Sequence, residues 1–286
     1  MVEKLFESRI RTGHLCLAIF LSIIFITPVI ADTVTLEIKN SQLRVKESVD
    51  DNIAIAEEDL SIDFFRDKPF GYSTTIAKVD IKLNFVNKGD GKYLTLGFPM
   101  LVMGKTVGGD DALAFAKEHF TVLVNGKPAD FKTEYFDNIK NTEWITSGNE
   151  SNENFMVFWK TFFEPKGQTK IEISYETISN DAMIRSSNPN DYKFRITYPL
   201  KTASVWNGPI GLLRITISAN TMSEKPEFAL IHPTKHRMVG EKIDLEIKNY
   251  IPEEDLVFGV AAGRYKDGLS IANMDKFENI RFWYSE

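Results

Sequence analysis

Two histidines, His232 and His236, stand four residues apart, a spacing that places two imidazoles on one face of a helix and can hold a zinc ion. Pro233 lies between them, however, and the flanking residues are typical of strand and turn. The pair also lacks a carboxylate in the pattern that zinc sites use. We therefore predict no metal site here, and no cofactor for the chain.

Paired carboxylates are the next residues that could do chemistry, because hydrolysis of a glycosidic bond needs two of them facing one sugar. Residues 57–59 and 253–255 are runs of three acids, but each directly precedes an alternating apolar stretch and is interpreted as a polar lead-in to a strand. Asp110 and Asp111 could bind calcium, yet the spaced acidic loop of an EF-hand is missing. We assign no catalytic residue.

Nucleophile and cofactor motifs are also missing from the sequence. It contains no G-x-S-x-G elbow, no G-x-x-x-x-G-K phosphate loop and no G-x-G-x-x-G fingerprint after a strand. Catalytic groups can still come from distant loops that no local pattern reveals. A hydrolase acting on polysaccharide or cell-wall material through loop-borne carboxylates therefore remains the alternative to a non-catalytic protein.

Aromatic side chains are better candidates for a binding surface. Trp144, Trp159 and Tyr135 could stack on sugars or peptides if they lie on one exposed face. In a sandwich, large aromatics more often fill the core, so their burial decides between the two roles. The partner predicted on this basis is an envelope protein or a glycan.

The first 31 residues have the pattern of a secretion signal. A leader that carries Lys4, Arg9 and Arg11 precedes an apolar run from Leu15 to Ile30. Small or compact residues follow a proline near the end of this run, which predicts cleavage between residues 31 and 32. The sequence therefore predicts export to the periplasm or the cell exterior.

An uncleaved membrane anchor is the alternative interpretation of the same segment. This largely apolar run of 16 residues, which contains a proline, falls short of the roughly 20 that a spanning helix prefers. Cys16 lies inside the run and not just after it, so a lipoprotein is not predicted. A membrane association is thus expected only if cleavage fails.

Composition excludes several classes of function for the 255 residues that would remain. The cleaved chain would carry a net charge of −7, which offers no basic footprint for nucleic acid. It would contain no cysteine, and hence no disulfide, thiolate metal site or cysteine nucleophile. With 43% hydrophobic residues, the chain can fill one large or two small cores.

Alternation with a period of two dominates the sequence from Thr33 onward and predicts strands. Turn-forming residues separate these strands at three places, which predicts three hairpins. They join 79–85 to 94–98, then 120–124 across Asn125 and Gly126 to 128–135, and 155–163 to 171–175.

These strands favour an all-β fold of two packed immunoglobulin-like β-sandwich lobes. We place the lobes at 32–187 and 188–286, with the boundary in the polar stretch 186–191. One short helix is predicted at 112–117. Apolar residues near helical spacing predict a second at 270–286.

Three segments resemble an exported bacterial family known as a domain of unknown function. They are 55–62 with the G-F-P close at Gly97 to Pro99, then the stretch from Tyr198 through W-N-G-P-I-G at 206–211, and the aromatic-x-P turn at 250–256. Asn207 stands where a basic residue is usual in that family. The resemblance implies a fold and export, and it supplies no catalytic residue.

The W-N-G-P-I-G stretch also has a physical interpretation as a structural corner. Gly208 and Gly211 permit unusual backbone angles, Pro209 fixes one, and Trp206 can anchor the corner in a core. A ligand-binding corner is the alternative. From the sequence we predict a secreted or periplasmic, non-catalytic binding or envelope-associated module.

Overall fold

The computed structural model describes residues 33–39, 42–45, 52–67, 74–100, 114, 117–135, 138–139, 155–178, 192–198 and 200–269. Within these residues the chain forms sixteen β-strands in three sheets. The predicted all-β sandwich class is therefore confirmed. The predicted signal segment, Trp144, the lobe boundary and the C-terminal helix at 270–286 lie outside the described residues.

The largest sheet has seven strands. In spatial order they are β15 (Ile243–Tyr250), β12 (Ile210–Ser218), β3 (Ile53–Asp67), β4 (Thr74–Asn87), β10 (Gln168–Ile178), β6 (Thr121–Val124) and β7 (Lys127–Pro128). All neighbours pair antiparallel except β3 and β12, which run parallel with Leu213 opposite Glu58. One face of this sheet is apolar and buried and the other is polar, as the alternating sequence requires.

Two smaller sheets complete the fold. The five-stranded sheet contains, in spatial order, β2 (Gln42–Val45), β1 (Val34–Lys39), β5 (Lys92–Met100), β9 (Phe155–Phe163) and β8 (Phe131–Tyr135). The four-stranded sheet contains β11 (Tyr192–Tyr198), β16 (Leu256–Ala262), β13 (Glu227–His232) and β14 (Met238–Gly240). Every pairing within these two sheets is antiparallel.

Aromatic contacts join the three sheets through one hydrophobic core. Phe85 of β4 packs against Phe163 of β9 with ring centroids 5.5 Å apart, which connects the seven-stranded and five-stranded sheets. Phe64 of β3 packs against Phe228 and Phe258 at 5.7 and 6.2 Å, which connects the seven-stranded and four-stranded sheets. The buried face of β3 and β4 therefore supports both smaller sheets.

Two of the three predicted hairpins are wrong. β4 and β5 follow one another in the sequence but lie in different sheets, and the same holds for β9 and β10. The connecting turns therefore cross from one sheet to the other. The two crossings lie side by side, because the backbone N–H of Asn87 donates to the oxygen of Gly167 and that of Lys166 donates to Gly89.

The third predicted hairpin is correct at its turn and wrong in its return strand. Asn125 and Gly126 have φ angles of 52° and 75°, the left-handed values that a tight two-residue turn needs. The return strand pairs with β6 only over β7. β8, which the prediction includes in the same hairpin, pairs with β9 in the five-stranded sheet.

The two predicted lobes share a sheet instead of closing one sandwich each. β12 and β15 belong to the predicted lobe 188–286, yet β12 pairs with β3 of the predicted lobe 32–187 over seven residue pairs. Local alternation identifies strands but not their partners, and a parallel pair so distant in sequence leaves no local signal.

Helical structure is sparse in the described residues. Residues 114, 117 and 118 are helical, at and just beyond the short helix predicted at 112–117. 3₁₀ turns lie at Leu200–Val205, Thr234–His236 and Gly263–Gly268, and residue 138 is also in the 3₁₀ conformation. In the described part of the chain, no helix is long and apolar enough to cross a membrane.

Candidate functional site

A cleft of about 540 Å³ opens where β3 ends and the chain turns after β12. β3 ends at the charged residues Arg66 and Asp67. The turn after β12 is closed by a hydrogen bond from the Met222 N–H to the Ala219 oxygen. The residues that line the cleft are Asp63, Phe65, Arg66, Asp67, Thr221, Met222, Ser223 and Glu224.

Asp63 is held in one orientation by hydrogen bonds to a single oxygen. Its Oδ1 accepts from the Ser218 hydroxyl at 2.7 Å, and from the Asn220 backbone and side-chain nitrogens at 3.1 and 3.4 Å. Its Oδ2 accepts no hydrogen bond from any residue that the structure describes. The cleft therefore contains a preoriented carboxylate with one oxygen available to a ligand.

The strand geometry places an aromatic ring beside this carboxylate. Successive side chains of a strand point to opposite faces, so Asp63, Phe65 and Asp67 lie on the same face of β3. Phe65 is partly exposed and makes no ring contact within the described residues. Met222, across the cleft, is 8% exposed and adds an apolar surface.

The opposite wall of the cleft carries polar groups from the turn. Thr221, Ser223 and Glu224 are exposed, and none of them is bonded to another described residue. Arg66 and Asp67, in contrast, already interact with other groups of the protein. The carboxylates can accept hydrogen bonds from a ligand, and the two hydroxyls can both donate and accept them.

The outer face of the seven-stranded sheet continues away from the cleft as a network of paired charges. The Arg214 guanidinium lies 2.8 Å from Asp59 and 3.4 Å from Glu246. The Asp59 hydrogen bond raises the pKa of Arg214, which partial desolvation opposes. Asp80 of β4 accepts from the Ser174 hydroxyl at 2.6 Å, a cross-strand pair like that of Asp63 and Ser218. These groups satisfy one another.

His232 ends β13, and His236 lies in the 3₁₀ turn that follows it. No cluster of three His, Cys, Asp or Glu residues suited to a metal ion is found among the described residues. Instead, His232 Nδ1 lies 3.5 Å from Glu254, which also accepts the backbone N–H and hydroxyl of Thr234 at 2.7 and 2.8 Å. This cluster joins the turn after β13 to the turn before β16.

The acidic run at 57–59 lies inside β3 and is not a lead-in to it. A register shift between Ile55 and Glu57 turns Glu58 toward the interior, where it is 0% exposed. Burial raises the pKa of Tyr250, and the nearby carboxylates, including Glu58, raise it further. The structure therefore holds an acidic side chain in its core that sequence pattern assigned to the surface.

The candidate binding aromatics do not form one surface in the described structure. Trp159 is 2% exposed and belongs to the core, which excludes it as an exposed stacking platform. Tyr135 is 38% exposed at the end of β8 in the five-stranded sheet, whereas the cleft lies at strands of the seven-stranded sheet, and it does not line the cleft. Large aromatics on the inner face of a sandwich fill space between sheets, and Trp159 does so.

The predicted corner lies against the bulge of β3. Trp206 is 4% exposed, and its ring centroid lies 4.6 Å from that of Phe85. Gly208 has a φ of 78°, and a Cβ on Gly211 would stand 2.5 Å from the Ala56 oxygen. Pro209 is exposed between them. These four positions form a structural turn at the start of β12, at the opposite end of the strand from the turn that lines the cleft.

Sequence reasoning did not identify the cleft. Asp63, Phe65 and Asp67 alternate within a strand, and Thr221 to Glu224 read as an ordinary polar turn. Only the parallel pairing of β3 with β12 brings the two segments together. One signal was present, namely an aromatic residue between two acids on the outward positions of a strand.

The fold resembles that of solved proteins. A candidate nutrient-binding protein of Legionella pneumophila shares 15% identity, and the match covers 83% of this chain and 73% of that protein with a TM-score of 0.50. An M1 zinc metallopeptidase of Deinococcus radiodurans matches at 9% identity over 73% of this chain, with a TM-score of 0.30. The chain spans less than half of that peptidase, 42% of its length.

Sequence comparison adds no family to this fold likeness. No family model and no curated protein sequence matches the chain. The likeness to the Legionella protein shows a shared fold.

Proposed function

We propose that this chain is an exported, non-catalytic binding protein that holds a small polar solute in the cleft between β3 and the turn after β12. The observation that carries the proposal is the orientation of Asp63. Three donors fix its Oδ1, Oδ2 accepts no bond from the described residues, and Asp63 lines the cleft. A side chain preoriented in this way binds a ligand without a further entropic cost of ordering.

The size and lining of the cleft support a small ligand. Its volume of about 540 Å³ lies within the range typical of small-molecule sites. Three carboxylates, one guanidinium, two hydroxyls, one aromatic ring and one methionine form the wall. The Legionella protein of similar fold carries the description nutrient-binding, which agrees with a solute-binding role for this chain.

Export belongs to the same proposal. The segment 1–31 has the charge and hydropathy pattern of a cleavable signal, and a solute-binding protein of the envelope requires export. Determining the N-terminal residue of the protein recovered outside the cytoplasm tests this part. Asp32 at the N-terminus is expected, and a chain that begins at Met1 contradicts cleavage.

The binding proposal is tested by thermal denaturation of the mature protein against a panel of sugars, amino acids, amines and organic acids. A ligand of the cleft raises the melting temperature of the wild-type protein. Asp63→Asn removes the charge and the available oxygen but keeps Oδ1 as an acceptor for Ser218 and Asn220, so the shift should be lost in a folded protein.

Glu57→Gln is the matched control. Glu57 is also an acid on the outer face of β3, but it does not line the cleft, and its partner Arg214 stays held by Asp59 and Glu246. The ligand-induced shift should therefore persist in this variant. A shift that survives Asp63→Asn, or that disappears equally in both variants, contradicts the proposed site.

A hydrolase is the second candidate, and one observation favours it. Three carboxylates, those of Asp63, Asp67 and Glu224, line a single cleft, and hydrolysis of a glycosidic bond needs two. Incubation with a glycan library and product analysis separates the two functions. Turnover by the wild-type protein that Glu224→Gln abolishes would replace binding by hydrolysis as the conclusion.

A further inference from the structure

We infer that the cleft selects a ligand that carries a primary ammonium group, an inference that rests on the proposed binding function. The charges of the lining are its first support. The lining contains three carboxylates, those of Asp63, Asp67 and Glu224, and one guanidinium, that of Arg66, so its formal charge is −2. A cleft of this sign attracts cations and repels anions.

The charges in this lining are not all equally available. Arg66 and Asp67 interact with other groups of the protein. Asp63 and Glu224 make no ion pair within the described residues, and the only bonds of Asp63 come from neutral donors. The negative charge that a ligand would meet therefore comes from these two carboxylates.

Among the described residues, the cations near the lining are paired with other carboxylates or exposed to solvent. Lys78 of β4 lies opposite Asp63 of β3, but its Nζ lies 3.8 Å from the carboxylate of Asp80. Lys225 follows Glu224 in the chain and is exposed to solvent. The guanidinium of Arg214, on the same face of the sheet, is held by Asp59, Glu57 and Glu246.

The aromatic ring gives the second support for an ammonium ligand. Phe65 lies between Asp63 and Asp67 on one face of β3, so a cation held by either carboxylate would lie near the ring. An ammonium group is attracted to the face of an aromatic ring. The apolar surface of Met222 can pack against the methylene groups that carry the ammonium.

These features favour an aliphatic amine over a sugar. A neutral sugar is commonly bound by donors and acceptors in balance, whereas the available groups here are two carboxylates and two hydroxyls. A charge-assisted hydrogen bond from an ammonium to Asp63 Oδ2 would be roughly twice as strong as one between neutral groups. The ligand class is therefore a diamine, or the side chain of a lysine.

Isothermal titration of the mature protein with three probes of equal chain length tests the inference. The probes are cadaverine, the corresponding pentane diol and glutarate, which carry positive, neutral and negative ends on one five-carbon chain. Cadaverine should bind at least about tenfold more tightly than the diol, and glutarate should not bind. Its affinity should fall as salt is added.

Variants link this selectivity to the cleft. Asp63→Asn should weaken cadaverine binding about tenfold or more, and Phe65→Leu about two- to fivefold. Glu57→Gln, the matched control, should leave the affinity unchanged. Circular dichroism confirms that each variant is folded before it is titrated.

Two results overturn the inference, and they can be told apart. If the diol binds as tightly as cadaverine, or a sugar from the panel binds through Asp63 while cadaverine does not, selectivity for ammonium is wrong and the binding function stands. If no probe and no panel solute binds, the proposed function fails as well.

Discussion

The indole Nε1 of Trp206 donates a hydrogen bond to the backbone oxygen of Thr33 over 2.9 Å. Thr33 directly precedes β1 of the five-stranded sheet, while Trp206 stands just before β12 of the seven-stranded sheet. One buried side chain therefore fixes the position of two sheets, through its ring contact with Phe85 and through this hydrogen bond.

Replacing Trp206 separates these two contributions. Trp206→Ala should lower the free energy of unfolding by about 3–5 kcal/mol, because it leaves a cavity where a buried ring stood. Trp206→Phe should cost less, since it keeps an aromatic ring but leaves the Thr33 oxygen without its donor. Urea denaturation followed by circular dichroism measures both. Equal losses for the two variants would show that packing contributes little.

The close approach at Gly211 predicts a larger effect than backbone conformation alone. Its Cβ would stand 2.5 Å from the oxygen of Ala56, so Gly211→Ala must push β12 away from the bulge of β3. We expect a loss of about 1–3 kcal/mol or more. Gly126→Ala, where φ is 75° and the surrounding space is open, should cost about 1 kcal/mol. Thermal melts of the two variants should therefore rank Gly211→Ala as the less stable.

Asn87 should stabilise the two crossings between sheets. Its Nδ2 donates to the oxygens of Asp90 and Glu164 at 2.8 and 3.0 Å, and its Oδ1 accepts from the Gly89 N–H. Asn87→Ala leaves these groups without a partner at a position that is 1% exposed, which should cost about 1–3 kcal/mol.

Lys88, exposed in the same turn, offers the matched control for Asn87. Lys88→Ala keeps its backbone bond to Asn52 and should change stability by no more than about 0.5 kcal/mol. Chemical denaturation of both variants decides the matter. If Asn87→Ala is as stable as Lys88→Ala, the side-chain bonds of Asn87 do not hold the crossings.

The crossings also explain which part of the fold was accessible from sequence. Alternation identified β4, β5 and β10 as strands, because each has one apolar face, and β9 was predicted from its richness in aromatic residues. The turns between them contain the same Gly, Asn and Pro residues that close a hairpin. The residues of a turn indicate that the chain reverses direction, but they do not indicate which sheet the next strand joins.

The candidate site was not accessible for a related reason. Asp63 and Ser218 are 155 residues apart and meet only through the parallel pairing of β3 and β12. The buried Glu58 depends on a bulge that shifts the alternation by one residue. Both features arise from strand pairing over long distances, whereas the corner at Trp206 combines residues close in sequence and could be recognised.

Glu254 predicts a loss of stability in acid. Partial burial raises the pKa of its carboxyl. The Thr234 N–H and hydroxyl and the nearby His232 together lower the pKa by more than burial raises it, so the net shift is downward from 4.5. A carboxylate whose pKa is lower in the folded than in the unfolded state stabilises the fold above the unfolded value. This contribution is lost as the pH falls through the folded value.

Glu254→Gln should therefore be less stable than the wild-type protein at about pH 7, and the difference should shrink as the pH is lowered from about 5 to about 3. Denaturation midpoints at each pH measure the difference. Glu253→Gln, an exposed neighbour in the same turn, controls for the general effect of removing a charge and should give a smaller difference. A gap between Glu254→Gln and the wild-type protein that stays constant down to about pH 3 contradicts a role for the ionised carboxylate, because the protonated acid would then bind Thr234 as well as the carboxylate does.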